Sequence, residues 1–107
     1  MHEMPIPEAA FRDDSSIEVM RVWIADAGLH CSLNIGIYEG AGVDETTAWG
    51  IILADATKHI AMAMEARYGV GADTVMRQVI ESYLSEIGDP TSDAHGDFVD
   101  GETTKPN

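Results

Sequence analysis

The stretch that decides the fold is Val19-Met20-Arg21-Val22-Trp23-Ile24-Ala25, then Asp26-Ala27-Gly28-Leu29, then His30-Cys31-Ser32-Leu33-Asn34-Ile35-Gly36-Ile37. Both flanks are rich in β-branched and aromatic residues, and the middle is a turn signal with Gly28 available for positive φ. A loop of even length pairs Ile24 with Cys31, Val22 with Leu33 and Met20 with Ile35, so one face is wholly apolar. The other face then carries Arg21, Trp23 and Ala25 opposite His30, Ser32 and Asn34. An odd loop would mix the two sets, because a one-residue slip exchanges the faces. The expectation is an antiparallel hairpin, with strands at about 18–25 and 30–38.

Working outward, Glu39-Gly40-Ala41-Gly42-Val43 is a flexible connection, and Asp44 offers an N-cap with Glu45 in the first turn. A helix over about 45–67 places Trp49, Ile52, Leu53, Ala56, Ile60 and Ala63 on one stripe. Tyr68-Gly69-Val70-Gly71 ends it. A second helix over about 73–87 gathers Met76, Val79, Ile80, Tyr83, Leu84 and Ile87 before Gly88-Asp89-Pro90 stops it. Residues 1–16, with Pro5 and Pro7, read as an extended arm with a helical turn near Glu8 to Phe11. Beyond Pro90 the composition turns to Thr, Ser, Asp, Gly and Glu, and the stretch 89–107 reads as a disordered acidic tail. The predicted fold class is α+β: an antiparallel hairpin packed against two α-helices, in one domain over 17–88.

The chain has 107 residues, 45% hydrophobic and 23% charged, which is room for one globular domain. A domain of this size buries only about 60–65% of its unfolded surface, so a monomer would be marginal and a homodimer is the expected remedy. On the first helix a small-residue stripe of Gly50, Ala54, Thr57 and Ala61, beside the core stripe, suits close approach of a second copy, and the far side shows Ile51 and Met62. Joining of hairpin edges across a two-fold axis is the other route.

The net charge is −13, from 19 acidic against 6 scattered basic residues. Nucleic acid and anionic membranes are therefore poor partners, since both demand clustered cations. A protein partner, or a small anionic or planar ligand, fits better. The lone Cys31 excludes an internal disulfide and a cysteine zinc site. No signal peptide and no 18-residue apolar run is present, so a cytoplasmic location is expected.

The run Arg21-Val22-Trp23-Ile24-Ala25-Asp26-Ala27-Gly28-Leu29-His30-Cys31-Ser32-Leu33, followed by Ala48-Trp49-Gly50-Ile51-Ile52-Leu53-Ala54-Asp55 and His59, resembles a family of small bacterial proteins. That family is known only as a domain of unknown function and is common in alphaproteobacteria. The resemblance spans about 5–88. It departs at Cys31, where Val is usual, at Lys58, where Arg is usual, and in a longer Gly40-Ala41-Gly42 connection. It implies a single bacterial domain and brings no activity.

Two groups of residues are candidates for a binding site. Arg21, Trp23, His30, Ser32 and Asn34 would stand together on the open hairpin face, offering a guanidinium for an anion and an indole as a flat wall. The plainer reading is that Trp23 packs under the N-terminal arm or in a dimer contact, with Arg21 lying over it. Asp55 and His59, one helical turn apart, could orient an imidazole, with His30 as a third ligand if a metal were bound. The plainer reading is a helix ion pair in which Asp55 reaches Lys58. Asp93-Ala94-His95-Gly96-Asp97 offers alternating donors without a preorganised cage, and Gly40-Ala41-Gly42 lacks the Lys of a phosphate loop. No cofactor, metal or catalytic set is named by these residues. The function stays unknown at this level, with a homodimeric interaction or regulatory module expected first. A small ligand-binding protein or small enzyme comes second, and an acidic antagonist of a basic partner third.

Overall fold

A computed structural model describes residues 1–91 and 95–100. The fold is α+β, with three helices and a three-stranded sheet among the described residues. Its described residues divide into a sheet unit, residues 1–37 and 95–100, and a helical unit, residues 38–91.

The sheet unit begins with the arm, in which Pro7 precedes the short helix α1 (Glu8–Arg12). Strands β1 (Met20–Ala25) and β2 (Gly28–Ile35) form the antiparallel hairpin. Its register is Met20–Leu33, Arg21–Ser32, Val22–Cys31, Trp23–His30, Ile24–Leu29 and Ala25–Gly28. The expected face sorting holds, but each pair lies two residues from the expected one. The reason is the loop, which has two residues rather than four. Asp26 and Ala27 both take positive φ, 48° and 58°, as a type I′ turn requires, and its twist matches that of the strands. Gly28, expected in the turn, is instead a paired strand residue.

The described part of the C-terminal stretch also departs from expectation. Strand β3 (His95–Asp100) pairs in parallel with β2, matching His30 with His95, Ser32 with Asp97 and Leu33 with Phe98. The sheet order is β1-β2-β3. Gly96 makes this docking sterically feasible: it has φ 135°, and a Cβ there would fall into the backbone of Cys31. Residues 92–94 and 101–107, assigned to the same disordered tail, lie outside the described residues.

The helical unit contains α2 (Glu45–Tyr68) and α3 (Ala72–Gly88), packed on each other. Asp44 caps α2 in an indirect way. The hydroxyls of Thr46 and Thr47 donate to its Oδ2 at 2.9 and 2.8 Å, while its carbonyl accepts from Ala48 N–H at 3.0 Å. Glu65 organises the link between the helices. Its carbonyl accepts from Gly69 N–H at 2.9 Å, with Gly69 in the left-handed region. Its carboxylate accepts from Ala72 N–H at 2.9 Å, so one residue ends α2 and caps α3.

Burial of apolar side chains is confined to small and medium residues among the described residues. Ala48, Ala61 and Val75 are the buried apolar side chains among the described residues. Of the expected α2 stripe, Trp49 and Ile52 are half-buried, whereas Leu53, Ala56, Ile60 and Ala63 are exposed. On α3, Met76 and Val79 are half-buried, and Ile80, Tyr83, Leu84 and Ile87 are exposed. Ala61 is buried and Thr57 half-buried on α2, while Ile60 and Ala56, one position before each, are exposed. Gly50 and Ala54, the rest of the small stripe, stay open.

Ala27 in the left-handed region carries a steric cost that glycine avoids, so Ala27→Gly should stabilise the chain by ~0.5–1 kcal/mol in urea unfolding. The Thr47 and Thr46 hydroxyls hold the Asp44 carboxyl below its ordinary value of 3.8. Its folded value is thus lower than its unfolded one. Its contribution is present in full above the unfolded value and is lost as pH falls through the folded one. Helix content measured against pH should show this acid loss, and Asp44→Asn should remove it.

Candidate functional site

The face of the sheet that carries the polar set is built in rows. Trp23, His30 and His95 form one row across the three strands, and Arg21, Ser32 and Asp97 the next. The imidazoles of His30 and His95 stack, with centroids 5.3 Å apart and planes inclined by 24°. Gly28 lies at the end of this pair; a Cβ there would meet His95 Cδ2 at 3.8 Å and His30 Nε2 at 4.0 Å. Parallel pairing of β3 is what brings His95 and Asp97 here. Both fall in the stretch expected to be a tail, and their polar side chains reach this face because β3 pairs in register with β2.

Arg21 is already engaged. Its Nη1 donates to Glu3 Oε2 at 2.8 Å, and its Nη2 and Nε donate to Glu18 Oε2 at 3.1 and 3.4 Å. The Glu18 bond, then the Glu18 charge and finally Glu3 raise its pKa. A ligand carboxylate or phosphate would have to displace these groups, so the guanidinium ties the N-terminal arm to β1. Asn34 is buried. Its backbone N–H donates to the Val19 carbonyl at 3.0 Å and its Nδ2 to the Glu18 carbonyl at 3.4 Å. It closes the open end of the hairpin, and Ser32 is exposed in mid-strand.

Between the arm and β1 runs a groove of about 770 Å³, lined by Met4, Ile6, Phe11, Ile17, Val22 and Trp23, with Glu3, Glu18 and Arg21 along it. A shallower depression of about 250 Å³ lies at the other end of the strands, among Arg21, Ser32, Asn34, Asp97 and Val99. On the opposite, apolar face, Cys31 is half-buried beside Gly96. That face is largely open: Ile24 is 82% exposed and Phe98 70%.

Asp55 and His59 belong to the helical unit, both exposed. Asp55 Oδ1 lies 4.0 Å from Lys58 Nζ, the ordinary helix ion pair. Among the described residues no group of three His, Cys, Asp or Glu is placed to hold a metal ion. Of the seven candidates, the fold brings together Arg21, Trp23, His30, Ser32 and Asn34.

A hairpin extended by a parallel edge strand, with a separate helical pair, defines the chain as a small α+β domain. It belongs to the family described as a domain of unknown function, DUF5076, whose model matches residues 3–91. The match contains the stretch 5–88 and leaves β3 outside. Among solved structures, the chain is similar to one described as a "putative pyruvate dehydrogenase from the photosynthetic bacterium Rhodopseudomonas palustrus CGA009". The TM-score is 0.65 at 22% identity, over 88% of this chain and 91% of that one, a likeness of fold alone. No curated protein matches.

The Arg21–Glu3 pair is half-exposed, so it contributes little to stability but positions the arm. Glu3→Gln should change unfolding free energy by less than about 1 kcal/mol. It should raise the accessibility of Trp23 to acrylamide, read in a Trp49→Phe background.

Proposed function

We propose that this protein is a cytoplasmic homodimer that works as an interaction or regulatory module, with the Trp23–His30 side of the sheet as its working surface. The observation that carries this reading is the missing core. Among the described residues three small or medium apolar residues are buried, while Val22, Ile24, Leu29, Ile51, Ile60, Leu84, Ile87 and Phe98 stand exposed. Large apolar side chains left exposed in this number, in each unit, favour association. The stacked imidazoles, the indole, Ser32 and Asp97 supply varied polar contacts with few flexible side chains, which suits recognition of a protein partner. The acidic balance and scattered cations argue against nucleic acid and anionic membranes. Among the described residues no helix is long and apolar enough to cross a membrane.

A second reading, a small-ligand protein or small enzyme, draws on the groove between arm and β1. Its volume lies within the usual range for ligand pockets, and Trp23 offers a planar wall. Saturable one-to-one quenching of Trp23 by a planar apolar probe would favour it.

Light scattering on the purified chain tests the leading reading: a mass of two chains at micromolar concentration is expected. A monomer at every concentration up to the millimolar range would overturn it.

A further inference from the structure

The outer edge of β1 is unpartnered, and its chemistry indicates what covers it. In the hairpin the Val19 carbonyl faces β2, accepting from Asn34 N–H at 3.0 Å. Backbone groups alternate along an antiparallel strand, so those of Arg21, Trp23 and Ala25 also face β2. Those of Met20, Val22 and Ile24 therefore point away. Among the described residues β1 pairs with β2 alone, and no other backbone group bonds to these three. No Pro, no Lys and no bulge interrupts the six consecutive pairs of this strand, three of the devices that commonly block an edge. None of the 19 acidic residues lies within Met20–Ala25, so a chain of charge −13 can approach its own copy here.

We propose that the occupant is β1 of a second copy, paired antiparallel about a two-fold axis at Val22. This rests on the homodimer reading above and assigns its surface. The axis follows from the sequence of the strand. An axis between two residues would set apolar side chains opposite Arg21 and Trp23, mixing the faces. An axis at Trp23 would pair Val22 with Ile24 but run Met20 into the turn at Asp26. An axis at Val22 sets Val22 opposite the partner's Val22 and Met20 opposite the partner's Ile24. All three outward residues are then used, in about six new N–H···O bonds. On the other face Arg21 stands opposite the partner's Trp23, a guanidinium beside an indole. Glu18 meets the partner's Asp26 at each end, and Arg21 already holds Glu18. The joined sheet has the order β3-β2-β1-β1-β2-β3. The incoming strand takes the space between β1 and the arm, where Met4, Ile6 and Phe11 flank it. The polar surface is thus completed by the partner's Trp23.

The register is tested by single cysteines in a Cys31→Ser background. Residues that face each other as a hydrogen-bonded pair have Cα atoms about 5.5 Å apart, within disulfide reach. Val22→Cys should oxidise to a covalent dimer, whereas Ile24→Cys, about 13 Å from its own copy, should give less than a tenth of that yield. Val22→Pro removes the two donors at the axis and should weaken the dimer about a hundredfold, while Val22→Thr leaves it intact. Circular dichroism verifies that the proline chain stays folded. Equal cross-linking at 22 and 24, or an undiminished Val22→Pro dimer, would overturn the strand pairing and leave the homodimer standing. A wild-type monomer would overturn both.

Discussion

The two-residue turn at Asp26-Ala27 is the constraint on which the sheet depends. Because both residues sit at positive φ, the strands leave the turn with the right twist, and Ala25 pairs directly with Gly28. That choice sets which side chains meet: Trp23 with His30, Arg21 with Ser32. It also decides which backbone groups of β1 face β2 and which face outward. β3 inherits the same frame, since its pairing with β2 carries His95 to His30 and Asp97 to Ser32.

The helical unit obeys a different rule. Helices approach closely where side chains are small, and on α2 the buried positions are Ala48 and Ala61, with Thr57 half-buried. Glu65 fixes the geometry of the link by serving both helix ends at once. The consequence is a thin contact that leaves Ile60, Leu84 and Ile87 outside it. Apolar side chains stay exposed in both units, and among the described residues β1 pairs along one edge alone.

Much of the fold was legible, and the residues show why. Alternation in Met20–Ile24 and Leu29–Leu33 separates an apolar from a polar face whatever the loop length, provided it is even. That is why the polar set Arg21, Trp23, His30, Ser32 and Asn34 could be named together. The register itself was not legible, because two-residue and four-residue loops sort the faces equally well. The helix stripes were read from the large residues, whereas packing followed the small ones one position away. β3 was hidden by its composition: acidic and glycine-bearing, it reads as a tail until β2 offers it an edge, and Gly96 matters only because Cys31 backbone lies against it.

The sequence by itself determined the class of the protein, the hairpin, the two helices with their stops, and the sorting of side chains between faces. These depend on neighbours within a few residues, through turn chemistry and periodicity. Only the tertiary structure decided that Arg21 is held by Glu3, eighteen residues away, that His95 stacks on His30, and that β1 keeps an open edge. Each of these needs segments distant in the chain to meet, and no local pattern carries the distance between them.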